Sequence, residues 1–196
     1  MPSLRSGQTR NVPQYREIHR LDPDYGRSSE YMKEVIVTLC RHLNPKKILD
    51  FGCGKSRLVD EVAVQLNATA YRYDPAIEEF SKLPVNEADL VINTDVLEHL
   101  DEEEIDLLLA DIASISSNAF FNISTRPAAK MLPTGENAHS TVKDAVWWKS
   151  AISRAFPVCI QIPSNADEAR FITWRLPIRL RMMNTIRAIR KLIRTT

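Results

Sequence analysis

An apolar segment that ends in an acid and turns through two glycines constrains this chain more than any other stretch. It runs Lys47-Ile48-Leu49-Asp50-Phe51-Gly52-Cys53-Gly54-Lys55-Ser56-Arg57-Leu58 and reads as a strand, a tight turn and a helix. Such a turn brings bare backbone N–H groups and a helix N-terminus close to a ligand. A second acid, Asp74, closes the apolar run 68–74, 24 residues after Asp50. In a doubly wound α/β sheet that acid lies where the hydroxyl pair of a ribose is bound. Two acids and two glycines so placed predict a site for a nucleotide-like cofactor. The plain alternative is a strand-turn-helix with a buried acid.

The glycine pattern narrows the cofactor. A dinucleotide fingerprint, G-x-G-x-x-G, needs its third glycine for close helix–strand packing, and Arg57 stands there. Asp50 precedes the first glycine, where it suits a cationic ligand better than a pyrophosphate. The run D-F-G-C-G resembles motif I, D-x-G-x-G, of class I S-adenosylmethionine (SAM) methyltransferases. The resemblance implies SAM as cofactor, with Asp50, Gly52, Gly54 and Asp74 in its site.

A chain of 196 residues, 44% of them hydrophobic, can bury the core of one α/β domain. No apolar run is long enough to span a bilayer, and no signal peptide is visible at the start. Cys40, Cys53 and Cys159 are odd in number and widely spaced. They fit neither a disulfide framework nor a zinc knuckle, so a reducing, cytoplasmic setting is expected. Charge is unevenly spread. From Asp74 to Asp111 there are thirteen acids and one base, Lys82; after Glu168 there is no acid at all.

Short apolar runs alternate with amphipathic stretches. Strands are predicted at 47–51, 68–74, 89–93, 119–123, 158–162 and 170–176. Helices are predicted from Ser28 or Ser29 to residue 42 and over 56–66, 101–115 and 142–156. The alternation predicts a three-layer, Rossmann-like α/β domain over 27–176 with a mostly parallel sheet. Residues 1–26 show no clear period and read as a loose leader or lid. Only fourteen residues separate Asp74 from Asp89, where the resembling family fits a helix, a strand and another helix. The sheet is therefore expected to lack that family's third strand, and the residues that read adenine there are missing.

Asn93-Thr94-Asp95-Val96-Leu97-Glu98-His99 looks like the D-V-L-E-H motif of small-molecule methyltransferases. That likeness puts Asn93 and Asp95 at the methionine end of SAM. His99, with an ordinary pKa near 6.5, is a candidate base or a positioning residue. The long loop 124–140 follows a strand on the ligand side of the sheet, where such loops are usually functional. It offers Thr125, Arg126 and Asn137 to a polar or anionic acceptor, and His139 as the best candidate for general base. His139 serves equally well as a helix cap or as a partner of a loop carbonyl, and Arg126 as a surface ion pair. Of the adjacent Trp147 and Trp148, one is expected in the core and the other, taken as Trp148, against the acceptor. The pattern T-R-P-A-x-K-x-L-P-x-G-x-N-A-H followed by W-W resembles a compact bacterial and phage subgroup of methyltransferases. Some of its members accompany surface-glycan synthesis, which implies a polar small molecule or a sugar of a surface glycan as acceptor. No set of metal ligands stands out.

Residues 177–196 read as a basic amphipathic helix with Pro177 at its first turn. Met182, Ile186, Ile189 and Ile193 fall on one face, and Arg187, Arg190, Lys191 and Arg194 flank it. Such a helix suits an anionic membrane surface, at the inner face of the membrane, or RNA, or a second subunit, or its own domain. The expected activity is O-methylation. RNA ribose methylation, a non-catalytic SAM-fold module and a nicotinamide oxidoreductase are the competing classes.

Overall fold

The computed structural model describes residues 9–22 and 25–178. The basic segment beyond Ile178 lies outside the described residues, and with it the expected C-terminal helix. Among the described residues, no helix is long and apolar enough to cross a membrane.

Six strands form one sheet in the order β2-β1-β3-β4-β6-β5. They are β1 (Lys47–Phe51), β2 (Thr69–Tyr73), β3 (Leu90–Thr94), β4 (Ala119–Ser124), β5 (Ile160–Ile162) and β6 (Glu168–Ile172). The first four pair in parallel, whereas β6 runs antiparallel to both β4 and β5. Among the described residues no strand pairs outside β2, so the sheet ends there as the short 75–88 connection demands. That connection holds only a 3-10 turn, Glu78–Phe80.

Period-two alternation splits the core between the two faces of the sheet. Leu49, Phe51, Val91, Phe121 and Ile123 pack under α4 (Glu102–Ile115) and α5 (Ala145–Ala155). Ile48, Leu90, Ile92 and Phe120 pack under α2 (Lys33–Cys40) and α3 (Leu58–Leu66). Helix α4 starts with a full capping box between Asp101 and Glu104, and three acids fill its first turn. Helix α5 begins later than its apolar pattern suggested, because the Asp144 side chain caps it by accepting the Trp147 N–H at 2.8 Å.

The first described residues hold a helix where the sequence shows no clear period. Residues Val12–Leu21 form a helix, α1, with Pro13 in its first turn. Its Ile18 packs with Leu132 and Ala138 of the 124–140 loop in a small third core, which Tyr15 and Tyr25 border. Helix and loop are also joined by the Lys130–Asp22 ion pair and by Arg10 on Glu136. These pairs are exposed and contribute little; the apolar contact holds the helix down.

Candidate functional site

The carboxyl ends of β1, β2 and β3, helix α1 and the 124–140 loop enclose a cavity of about 670 Å³. This is the switch in strand order, since β1 is followed in sequence by its neighbour on one side and β3 lies on the other. The volume falls within the range of about 300–1,000 Å³ that ligand sites occupy.

The glycine turn forms the floor. Gly52 has φ +89°, and a Cβ there would lie 2.4 Å from the Val96 side chain. Gly54 has φ +52° and sits against the Gly26 backbone. No side chain fits at Gly52, and at Gly54 a Cβ would press on the Gly26 carbonyl oxygen at 3.0 Å. The turn does not, however, present bare amides. Gly52 and Cys53 both donate to the Tyr73 carbonyl, and Gly54 donates to Asp74 Oδ2 at 2.9 Å. At the start of α3, the Arg57 and Leu58 amides are taken by Glu30 and Ser56. A phosphate finds no amide cradle in these groups.

Asp74 stands at the end of β2 and lines the cavity. It accepts the Gly54 amide through Oδ2 and the Ala76 amide, at 2.8 Å, through Oδ1. Burial pushes its carboxyl up, while those two amides pull it down. Across from it, His19 of α1 is half-buried, with its Nδ1 lacking a hydrogen-bond partner. Burial holds that ring below the ordinary histidine range, and the Asp74 charge works against this.

The far end of the cavity is built on the turn after β3. Asp95 takes a left-handed φ of 56°, and its Oδ1 accepts from the Asn122 side-chain Nδ2 at 3.0 Å. The chain then enters a 3-10 turn, Leu97–His99, and turns Glu98 and His99 to the cavity. Glu98 is fully buried. Its Oε1 accepts the Ser124 N–H at 2.8 Å, and its Oε2 has no hydrogen-bond partner. Burial, then the nearby Asp95, raise its carboxyl to about 8. His99 Nδ1 lies 2.8 Å from the Ala138 carbonyl and 2.9 Å from the Tyr15 hydroxyl. Burial depresses its pKa to about 4. His139 reaches in from the loop, its ring 4.9 Å from that of His99, with Nδ1 2.6 Å from the Arg126 carbonyl. One ligating atom from each of Glu98, His99 and His139 lies within 4.8 Å of the other two. No such convergence was expected from the sequence.

Seven of the residues proposed from sequence therefore line one cavity: Gly52, Gly54, Asp74, Asp95, His99, Arg126 and His139. Five do not. Asp50 shares the Ile48 face of β1 because side chains alternate, so it lies under α2 and α3, fully buried, with both oxygens unpartnered. Asn93 is buried within the sheet and donates to the Phe51 carbonyl at 2.7 Å. Trp148 is a core residue under the sheet, fully buried with Ala151 and Ile152 on the same helix face. Asn137 closes the loop on itself through the Ala128 N–H and carbonyl. Thr125 sits at the exposed end of β4, against the Ala166 carbonyl. Arg126 does reach the cavity, but at its rim, paired with Asp167 at 3.4 Å.

Helix α1 supplies what the sequence reading lacked: Tyr15 and His19, both facing the ligand space. The Tyr15 hydroxyl donates to the Ala138 carbonyl at 2.7 Å and so ties α1 to the loop beside His99. Tyr15→Phe should remove about 0.5–1.5 kcal/mol. In a thermal melt that appears as a Tm lower by roughly 2–4 °C per kcal/mol. An unchanged Tm would show that the hydroxyl does not hold α1 down.

No family model matches the chain, and no curated protein matches it. Many solved structures do. An O-methyltransferase family protein from Burkholderia thailandensis is 14% identical with a TM-score of 0.60, covering 76% of this chain and 57% of that one. Human N-acetylserotonin methyltransferase, solved in complex with SAM, is 14% identical with a TM-score of 0.55, covering 85% and 56%. The 1,6-didemethyltoxoflavin N1-methyltransferase of Burkholderia thailandensis is 15% identical with a TM-score of 0.52, covering 86% and 84%. The chain thus spans little more than half the length of the first two. At such identities the likeness is one of fold: the chain has the Rossmann-like α/β fold of SAM-dependent methyltransferases, and among the described residues no strand lies beyond β2.

Proposed function

We propose that this chain is a SAM-dependent methyltransferase acting on an oxygen of a polar small molecule. The observation that carries the reading is the Asp74 carboxylate, buried at the end of β2 and facing the cavity beside a turn in which Gly52 leaves no room for a side chain. Asp74 holds the ribose hydroxyls, and the Gly52–Gly54 turn lets the cofactor lie flat against the backbone. The amides of that turn are already satisfied, which suits a cationic cofactor and leaves nothing for a pyrophosphate. When bound, SAM supplies a methyl group on a sulfonium; transfer to the acceptor oxygen breaks the C–S bond and leaves its electron pair on sulfur. Asp95 lies at the junction of the cofactor end and the end formed by Glu98, His99 and His139. The latter three line the part of the cavity that takes the acceptor and orient its hydroxyl. Helix α1 and the 124–140 loop wall the cavity in which acceptor and methyl are aligned, and most of the rate enhancement comes from that alignment.

Calorimetry of the full-length chain with SAM, S-adenosylhomocysteine and NAD tests this reading. Binding of the first two and none of the third is expected. NAD binding without SAM binding would overturn it. Incorporation of labelled methyl from SAM across a panel of polar hydroxyl compounds then identifies the acceptor, a sugar of a surface glycan being the first to try.

A further inference from the structure

We propose that Glu98, His99 and His139 bind a divalent transition-metal cation, whose open coordination positions take the acceptor hydroxyl. This deepens the methyltransferase reading and, for the acceptor's role only, rests on it.

Three independent observations point to a cation. First, one ligating atom of each residue lies within 4.8 Å of the other two. Zinc at about 2.1 Å from each of its ligands sets them about 3.4 Å apart, so closing the site takes side-chain shifts on the order of 1 Å. Second, Glu98 is wholly buried, yet its Oε2 has no hydrogen-bond partner. A buried carboxyl oxygen left without a hydrogen-bond partner is costly, and a bound cation satisfies it. Third, both imidazoles are set as metal ligands usually are. The Nδ1 of His99 lies against the Ala138 carbonyl, and the Nδ1 of His139 against the Arg126 carbonyl. A ring whose Nδ1–H donates to a carbonyl offers its Nε2 lone pair to a metal.

The surroundings hold all three in place from separate segments. Ser124 at the end of β4 donates to Glu98 Oε1. Tyr15 of α1 touches His99 Nδ1, and Asn137 Oδ1 accepts the His139 backbone N–H at 2.9 Å. Asp95 adds a negative charge that acts on both Glu98 and His139. Two imidazoles and one carboxylate select a first-row transition metal over magnesium or calcium, which prefer all-oxygen sites. Three protein ligands leave positions open, and all three residues line the cavity, so those positions face the ligand space. A hydroxyl bound there becomes far more acidic, as metal-bound water does. Its O–H bond breaks, the proton leaves to water, and the electron pair stays on the metal-bound oxygen, which becomes the nucleophile. His139 is then a metal ligand rather than the general base that its position in the loop first implied.

Cobalt(II) titration of the untagged, metal-stripped full-length chain tests the site through its visible d–d absorption. One equivalent should saturate the band, and zinc should displace it. His139→Ala, at a half-buried position, should weaken cobalt binding at least tenfold while the thermal melt still shows a folded chain and SAM affinity is kept. Glu98→Gln should weaken cobalt binding as much. No saturable band, or unchanged cobalt affinity in both variants, overturns the proposal. SAM affinity measured on the same preparation keeps the two readings apart. Cobalt bound by a chain that ignores SAM supports the metal site and overturns the acceptor role assigned to it. SAM bound by a chain that ignores cobalt overturns the metal site alone.

Discussion

Replacing Asp74 with alanine is expected to lower SAM affinity by about 10- to 100-fold, a loss of about 1.4–2.8 kcal/mol. Two effects combine. The carboxylate that takes the ribose hydroxyls disappears, and hydrogen bonds to a charged group are the strong ones. The Gly54 and Ala76 amides also lose their acceptor, so the glycine turn loosens where the cofactor lies on it. Asp74→Asn separates these effects. Its amide oxygen can still accept one of the two N–H groups, so the turn is largely kept while the charge goes. The asparagine variant should therefore fall between the parent and the alanine variant. Calorimetry gives the affinities, and thermal melts show whether each variant is folded. A folded Asp74→Ala chain that binds SAM as tightly as the parent would remove the cofactor assignment.

What the sequence made legible follows from how local each signal was. The strands were legible because alternation is a period of two over a few residues. Ile48 and Leu49 go to opposite faces, and so do Leu90 and Val91. The shortened sheet was legible because fourteen residues cannot hold helix, strand and helix. The same alternation, carried one step further along β1, puts Asp50 on the Ile48 face and away from the cavity. Trp148 was misplaced for a similar reason: Ala151 and Ile152, three and four residues on, share its helix face and are buried with it. Helix α1 was harder to see. Val12, Tyr15, Ile18 and His19 have helical spacing, and Pro13 is a fair start signal. Its polar neighbours masked the pattern, and its apolar face is satisfied only by a loop more than a hundred residues away. A ten-residue helix does not hold by propensity alone. The Glu98–His99–His139 cluster was illegible for a different reason. Its third member lies 40 residues beyond the second, and no spacing rule links the turn after β3 to the loop after β4. Only their common position at the carboxyl edge of the sheet does so.

Asp50→Asn is expected to stabilise the ligand-free chain in a manner that depends on pH. Burial, then the nearby Asp74 charge, raise the Asp50 carboxyl to about 7 in the folded protein, against about 4 in an unfolded chain. Below pH 4 the group is protonated in both states and contributes no difference. Between pH 4 and 7 the folded state holds a proton that the unfolded state has released, so raising the pH favours unfolding. Above pH 7 the penalty is complete, on the order of 4 kcal/mol for a shift of this size. Asparagine cannot ionise and escapes that penalty. It keeps a cost of about 1–3 kcal/mol for a buried amide without partners, so at pH 4 the variant should be no more stable than the parent. The difference in Tm between variant and parent should then rise from pH 4 to pH 7 and level off above it. The other titrating groups are common to both proteins and largely drop out of that difference, except Asp74, whose charge acts on Asp50 and which titrates more easily once that charge is gone. A Tm difference that stays flat across this window would mean that Asp50 is solvated or paired in solution, and the closed packing of β1 under α2 and α3 would have to be revised.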